Sequence, residues 1–108
     1  GAVNYEEMSD LQINLLVANA VGVDAAENSG VVFGAVNHEG SNVVSVIGVV
    51  DYCNNASDAW PIILENEISL VVVDDALWVA RVGGIYSEGA NPLRAAMIVF
   101  LMMQEQQK

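Results

Sequence analysis

The chain has 108 residues, of which 54% are hydrophobic, and its three basic residues stand against fourteen acidic ones, so that its formal net charge is −11. This length and apolar content predict one folded domain, residues 1–108, and exclude an intrinsically disordered protein. The chain has too few cations to release the counterions of DNA or RNA or to bind an anionic membrane, so we expect neither kind of partner.

The cysteine content and the start of the chain indicate the compartment. Cys53 is the one cysteine, which excludes an intramolecular disulfide and a cysteine-cluster metal site. No signal peptide is recognisable at the start, and Gly1 is expected to be a remnant of expression. We therefore expect a reducing compartment.

The first predicted element is a helix within residues 4–21. Ser9 and Asn4 are candidate N-caps, because their side chains can accept a hydrogen bond from the first turn. Apolar residues then recur at helical spacing and form a broad stripe. Gly22 is expected to end the helix.

A β-hairpin is predicted next, after a loop at residues 24–30. Residues 31–36 and 43–50 are rich in valine and read as two strands. The residues between them, 37–40, have turn chemistry and include His38.

A polar loop and a short helix follow the hairpin. The loop at residues 51–58 contains Asn55 and Ser57, either of which can cap a helix at residues 58–65. Pro61 is tolerated because the first turn of a helix has no N–H bonds to lose. Trp60 shares a face with Ile63 and Leu64 at helical spacing.

A second hairpin and a final helix complete the chain. Residues 68–73 and 77–82 are predicted strands, residues 74–76 their turn, and residues 83–90 a loop. Asn91 and Pro92 then provide an N-cap and a first helical residue.

Residues 95–103 of the final helix are apolar on every side. A helix of this kind is buried, either in the core of its own chain or under a second subunit. The run is too short to span a bilayer, which takes about 20 apolar residues. Residues 104–108 form a polar tail that is expected to fray.

The order of elements predicts an α+β fold: a small antiparallel sheet made of two hairpins, packed with an N-terminal helix, a short middle helix and a buried C-terminal helix. The predicted polar loop and the start of the last helix contain the candidate binding residues. They are Asp51, Cys53, Asn54, Asn55, Asp58, Trp60 and Arg94. The loop could present a binding surface. Alternatively, its asparagines satisfy their own backbone while Trp60 fills the core.

No catalytic set is predicted. We consider three candidate sites: a nucleophilic pair of Cys53 and His38, a metal site at His38, and acid–base catalysis by Asp74 and Asp75. Each lacks supporting residues nearby. We therefore expect a protein that is not an enzyme and that holds no metal and no cofactor.

Two stretches resemble the NinX family of lambdoid bacteriophages and related prophages. They are residues 51–63, DYCNNASDAWPII, and residues 91–103, NPLRAAMIVFLMM. Residues 4–10, together with Ile13 and Asn14, are similar to the start of that family. The resemblance implies a phage accessory protein made in the cytoplasm of the bacterial host, and it implies no catalytic residues.

The distinctive stretches suggest that residues 53–60 and 91–94 form one local site, in which Arg94 pairs with Asp58 or Asp51. Arg94 lies in the first turn of the last helix, where the helix dipole disfavours a cation. It is therefore expected either to form a structural salt bridge or to contact an anionic ligand.

Three functions remain open at this level. The first is a non-enzymatic accessory protein that binds a host or phage protein, or a homodimer with the apolar helix near its interface. The second is an acidic DNA mimic that inhibits a host DNA-handling protein. The third is a small-ligand-binding protein that uses residues 53–60 and Arg94.

Overall fold

A computed structural model of the protein describes residues 3–37, 40 and 44–107. Within that part of the chain it is an α+β fold, as predicted. A short 3-10 turn at Tyr5–Glu7 precedes the main elements. These are α1 (Asp10–Ala20), β1 (Asp24–Asn28), β2 (Val31–Asn37), β3 (Val44–Val50), α2 (Ala56–Glu65), β4 (Ser69–Asp74), β5 (Leu77–Val82), β6 (Ile85–Gly89) and α3 (Pro92–Gln106). The predicted turn at residues 37–40, with His38, lies mostly outside the described residues, as do Gly1 and Lys108.

The strands form two separate three-stranded antiparallel sheets instead of one small sheet. Sheet A has the order β1-β2-β3 and sheet B the order β4-β5-β6. Both predicted hairpins are present, as the pairs β2–β3 and β4–β5. The predicted loops at residues 24–30 and 83–90 are wrong, because they contain β1 and β6. Both are short edge strands. β1 is mostly exposed, and the one buried residue of β6 is the polar Ser87, so neither sequence shows a buried apolar alternation.

α3 is the centre of the core. It packs against β5 and β6 on one side and against α1 and α2 on the other. Seven consecutive residues of α3 are buried: Ala95, Ala96, Met97, Ile98, Val99, Phe100 and Leu101. The prediction of a helix buried on every side is confirmed, and the chain itself provides the cover. α3 also continues to Gln106, into the tail that was expected to fray.

The molecule measures 48 × 30 × 28 Å along its principal axes, and its elements pack in four layers. Sheet B lies against α3, α3 against α1, and α1 against β1 and β2 of sheet A. Sheet A therefore uses one face to cover α1, while no helix of the described residues covers its other face. No helix in the described ranges is long and apolar enough to cross a membrane.

The helix ends follow the predicted cap chemistry. Ser9 and Gln12 form a capping box at the start of α1, Asn55 caps α2, and Asn91 caps α3 with Pro92 in its first turn. Each cap accepts a hydrogen bond from a backbone N–H that has no partner within the helix.

Trp60 does not fill the core, as one interpretation of the loop had it, because the face of α2 that contains it is largely exposed. Ala59, Ile62 and Ile63 are buried, whereas Trp60 is 50% exposed and Leu64 is 59% exposed. The two apolar stripes of α2 overlap in sequence. The stripe that contains Ala59 faces the core, and the stripe that contains Trp60 and Leu64 faces solvent.

Candidate functional site

The loop at residues 51–55 is held by its own backbone and by α2. The carbonyl oxygen of Asp51 accepts hydrogen bonds from the backbone N–H groups of Asn54 at 3.2 Å and Asn55 at 2.8 Å. The backbone N–H of Asp51 donates to Oδ2 of Asp58, in the first turn of α2, at 2.9 Å. The loop therefore has a defined conformation, because both its first residue, Asp51, and its last residue, Asn55, are hydrogen-bonded to the first turn of α2.

Asn14 of α1 connects this loop to the first helix. Its side chain is 4% exposed. Its Oδ1 accepts from the backbone N–H of Cys53 at 3.0 Å, and its Nδ2 donates to Oδ1 of Asp51 at 2.9 Å. One buried amide thus satisfies a backbone donor and a carboxylate at the same time.

Asn54 and Asn91 extend the connections to α3. Nδ2 of Asn54 donates to Oδ2 of Asp10 at 3.1 Å and lies within 3.3 Å of both carboxylate oxygens of Asp51. Nδ2 of Asn91 donates to the carbonyl oxygen of Cys53 at 2.7 Å and to Oδ1 of Asn54 at 3.2 Å. The N-cap of α3 therefore also fixes the loop.

Arg94 pairs with Asp10, so its predicted pairing with Asp58 or Asp51 is wrong. Its Nη1 lies 2.7 Å from Oδ1 of Asp10. Its Nη2 donates to the backbone carbonyl oxygens of residues in the turn before α1, which are Tyr5 at 3.3 Å, Glu6 at 3.3 Å and Met8 at 2.6 Å. The start of α1 lies within reach of Arg94, while amide and backbone donors already occupy Asp51 and Asp58.

We call this set of residues the polar clasp: Asp10, Asn14, Asp51, Cys53, Asn54, Asn91 and Arg94. It joins the starts of α1 and α3 to the loop before α2. Every buried side-chain nitrogen and oxygen of the described residues has a hydrogen-bond partner. Among those residues no group of three or more His, Cys, Asp or Glu could hold a metal ion.

The clasp shifts the ionisation of two of its members. The pKa of Asp10 is lowered, chiefly by the hydrogen bond from Asn54 and also by Arg94. Burial, followed by the nearby charge of Asp10, raises the pKa of Cys53 to about 12. The Cys53 thiol is fully buried and its sulfur lies 3.8 Å from the carbonyl oxygen of Asp10. It is therefore neutral at physiological pH and out of contact with solvent, which is unsuitable for a nucleophile.

We expect the Cys53 thiol to react with a disulfide reagent such as 5,5′-dithiobis(2-nitrobenzoate) only when the protein unfolds. In native buffer at pH 8 the reaction should be at least about a hundredfold slower than in guanidinium chloride, because the thiolate is both scarce and buried. The absorbance of the released thionitrobenzoate measures it, with the unfolded protein as the control. Complete reaction of the native protein at the unfolded rate would contradict the burial of Cys53.

A second feature lies on sheet A. Val32 and Val50 are paired across β2 and β3 and are buried. The neighbouring pair, Phe33 and Val49, points to the opposite side, because side chains alternate along a strand. We call this side the outer face of sheet A. Its large exposed side chains are Phe33, Val44, Val46 and Val49, with exposures from 45% to 81%, and exposed Asp24 of β1 shares this face because it pairs with Ala35.

A β-bulge interrupts β3. Gly34 pairs with Gly48 and Ala35 pairs with Val46, so Ile47 is an extra residue on β3. Gly48 adopts a φ of 96°, which a residue with a side chain rarely adopts. The extra residue leaves Val46 and Ile47 as adjacent exposed side chains.

Sequence comparison assigns the chain to a family. A model of the family described as Bacteriophage P22, NinX matches residues 4–104. The chain belongs to the NinX family. No curated protein matches the sequence. The stretches that resemble NinX, at the start of the chain and at residues 51–63 and 91–103, are those that the polar clasp joins.

The structure brings four of the seven candidate residues of this NinX chain into the clasp: Asp51, Cys53, Asn54 and Arg94. Asp58 contacts the clasp through the backbone of Asp51, Asn55 caps α2, and Trp60 lies on the exposed side of α2.

Sequence reasoning missed Asp10 and Asn14 as members of the site. The available signal was Asn14, a polar residue inside an apolar helix and one turn after Asp10. The outer face of sheet A was also missed, because a run of valines without alternation does not indicate which side is covered.

Proposed function

We propose that this NinX chain is a non-enzymatic phage accessory protein that works in the cytoplasm of the bacterial host and binds another protein through the outer face of sheet A. The observation that carries the proposal is the exposure of four large apolar side chains on two adjacent strands. Contiguous exposed apolar patches on soluble proteins commonly mark interaction sites.

The exposed apolar side chains of β3 have restricted rotamers before a partner binds. Val44, Val46, Ile47 and Val49 are β-branched, so each loses little rotamer freedom when a partner covers it. Val46 is 81% exposed, and its burial against a partner would contribute about 1.5 kcal/mol or more. A partner that covers the whole face gains this contribution at several positions.

The polar clasp favours a structural role over catalysis or small-ligand binding. Both terminal nitrogens of Arg94 already have protein acceptors, and the carboxylate of Asp10 is occupied by Arg94 and Asn54. An anionic ligand would have to displace these contacts before binding. A ligand site at residues 53–60 and Arg94 is therefore the weaker proposal.

The experiment is a capture of partners from lysate of infected bacteria, with tagged protein as bait and washes at low and high salt. The parent is compared with Val46→Asp on the outer face and with Val73→Asp, a control that adds the same charge to an exposed position of sheet B. We expect a partner that parent and control retain at both salt concentrations and that Val46→Asp loses.

Two results would contradict this proposal. Capture of the same partner by Val46→Asp would remove the outer face from the interaction. A partner released by high salt from all three baits would instead support DNA mimicry, since electrostatic attraction between exposed charges is screened by salt.

A further inference from the structure

We propose that Asn28 is a site of spontaneous deamidation, at which its side-chain amide is lost and a carboxylate appears on the outer face of sheet A. Asn28 is the exposed last residue of β1, and Ser29 and Gly30 form the turn that leads into β2. The reaction is a property of this hairpin alone, so the inference does not depend on the proposed function.

The nucleophile of the reaction is the backbone nitrogen of Ser29. It attacks Cγ of Asn28, the bond between Cγ and Nδ2 breaks, and Nδ2 leaves as ammonia together with the proton of the Ser29 N–H. The product is a five-membered cyclic imide. Water then opens the ring at one of its two carbonyl carbons. Attack at the side-chain carbonyl gives aspartate, and attack at the backbone carbonyl gives isoaspartate.

The contacts of Asn28 and Ser29 favour the first step. Oγ of Ser29 donates a hydrogen bond to Oδ1 of Asn28 at 3.0 Å. Negative charge develops on Oδ1 when the nitrogen attacks, and a donor that is already in place stabilises this charge, as in an oxyanion hole. The backbone N–H of Ser29 makes no hydrogen bond to another described residue. Ser29 therefore provides both a free attacking nitrogen and the stabilising donor.

The other described asparagines have less reactive surroundings. Asn14 is buried, and Asn55 and Asn91 use Oδ1 to cap helices. Asn19 lies within α1, where the nitrogen of Ala20 belongs to the helical hydrogen-bond pattern. A side chain larger than that of serine follows each of the others and hinders attack by the next nitrogen: Asn4, Asn37, Asn54 and Asn66.

The hairpin slows the reaction without preventing it. Asn28 pairs with Val31 across β1 and β2, and the nitrogen of Ser29 reaches Cγ only when the backbone of Asn28 leaves its extended conformation. β1 is an edge strand and Asn28 is its last residue, so this local opening costs far less than global unfolding. We therefore expect the folded protein to react more slowly than the unfolded chain, and Asn28 to react first within it.

Both products change sheet A. Asp24 and Asn28 are four residues apart on β1, so their side chains lie on the same side of the sheet, which is the outer face. Aspartate at position 28 adds a second carboxylate to that face. Isoaspartate also inserts a methylene group into the backbone, which disturbs the register of β1 against β2.

The experiment is incubation of the folded protein at pH 6.5 and pH 8.5, with samples taken at intervals for peptide mapping by mass spectrometry. We expect Asn28 to be modified before any other asparagine, with isoaspartate among the products. The reaction should be faster at pH 8.5, because the attacking nitrogen must lose its proton. Modification of another asparagine first would overturn the proposal, and so would a native protein that stays unmodified at Asn28 while the urea-unfolded protein reacts.

Three variants test the chemistry. Ser29→Ala should slow the modification of Asn28 by about threefold to tenfold, the kinetic equivalent of one hydrogen bond. Asn28→Gln cannot form the five-membered ring and should abolish modification at the turn. Ser69→Ala, which removes a hydroxyl from an exposed position on β4, should leave the rate unchanged.

The rates in urea separate the role of the hydroxyl group from an effect of the substitution on the chain. Ser29→Ala and the parent should react at similar rates when unfolded, because the contact between Oγ and Oδ1 exists only in the folded hairpin. Circular dichroism checks that the native variants are folded. Equal rates of the parent and Ser29→Ala in the native state would show that the Ser29 hydroxyl does not assist the reaction and would contradict the proposed mechanism.

Discussion

Replacing Arg94 by alanine is expected to lower the free energy of unfolding by about 2–3 kcal/mol, because it leaves several acceptors without their donor. The carboxylate of Asp10 would lose its ion pair, and the carbonyl oxygens of Tyr5, Glu6 and Met8 would lose their shared donor. The side chain of Arg94 is 20% exposed and that of Asp10 is 45% exposed. Water can therefore reach part of the gap, and we expect less than the 3–5 kcal/mol of a fully buried pair.

The matched control is Arg81→Ala, which removes the same charge from an exposed position on β5. We expect a change below about 0.5 kcal/mol for it, since surface substitutions away from special contacts have small effects. Urea denaturation followed by tryptophan fluorescence and circular dichroism measures both variants. Equal midpoints for Arg94→Ala and Arg81→Ala would mean that the contacts of Arg94 contribute no net stability.

The loss of stability caused by Arg94→Ala should become smaller at low pH. The folded state lowers the pKa of Asp10 below its ordinary value, through Asn54 and Arg94. A carboxylate of this kind stabilises the fold above its unfolded pKa, and the stability is lost as the pH falls through the lowered folded value. The difference between Arg94→Ala and the parent should therefore be complete at neutral pH and decrease below about pH 4.

The elements that the sequence predicted well are those determined by neighbours in the chain. The caps at Ser9, Asn55 and Asn91 depend on hydrogen bonds that span two or three residues, so their spacing is visible in the sequence. The apolar run of α3 predicted its burial because a helix that is apolar on all sides has no face to present to water.

The elements that the sequence did not predict depend on tertiary contacts. β1 and β6 are edge strands with few buried side chains, and they exist because β2 and β5 offer backbone groups to pair with. A search for apolar alternation cannot find such strands. For the same reason the division into two sheets was not evident, because it depends on α3 and α1 lying between them.

The predicted proximity of residues 53–60 to the start of α3 is confirmed, whereas the predicted pairing of Arg94 is wrong. The neighbourhood of the loop and the start of α3 is real, as the hydrogen bond from Asn91 to Cys53 shows. Nothing in the sequence indicated that the start of α1 lies closer to Arg94 than Asp58 does. Trp60 was expected in the core in one of the two interpretations of the loop, but it is half exposed.

Replacing Asn14 by aspartate is expected to destabilise the fold by about 2–4 kcal/mol at neutral pH, because it removes a buried donor and adds a charge beside another carboxylate. The substitution keeps the shape of the side chain and an oxygen that can accept from the backbone N–H of Cys53. It replaces the Nδ2 donor, 2.9 Å from Oδ1 of Asp51, with a second oxygen. Two carboxylates at this distance cannot both remain ionised without a large cost.

The pH dependence of Asn14→Asp separates this repulsion from general damage to the core. Repulsion raises the folded pKa of the carboxylate pair above its unfolded value, so the destabilisation is present above the raised pKa and is relieved as the pH falls through it. Urea denaturation at pH 7.5 and pH 4.5 should therefore show a smaller difference from the parent at the lower pH. Asn19→Asp, an exposed position on α1, is the control, and near the helix end it should cost only about 0.5 kcal/mol. A loss that is equal at both pH values would mean that the missing donor, rather than repulsion from Asp51, causes the effect.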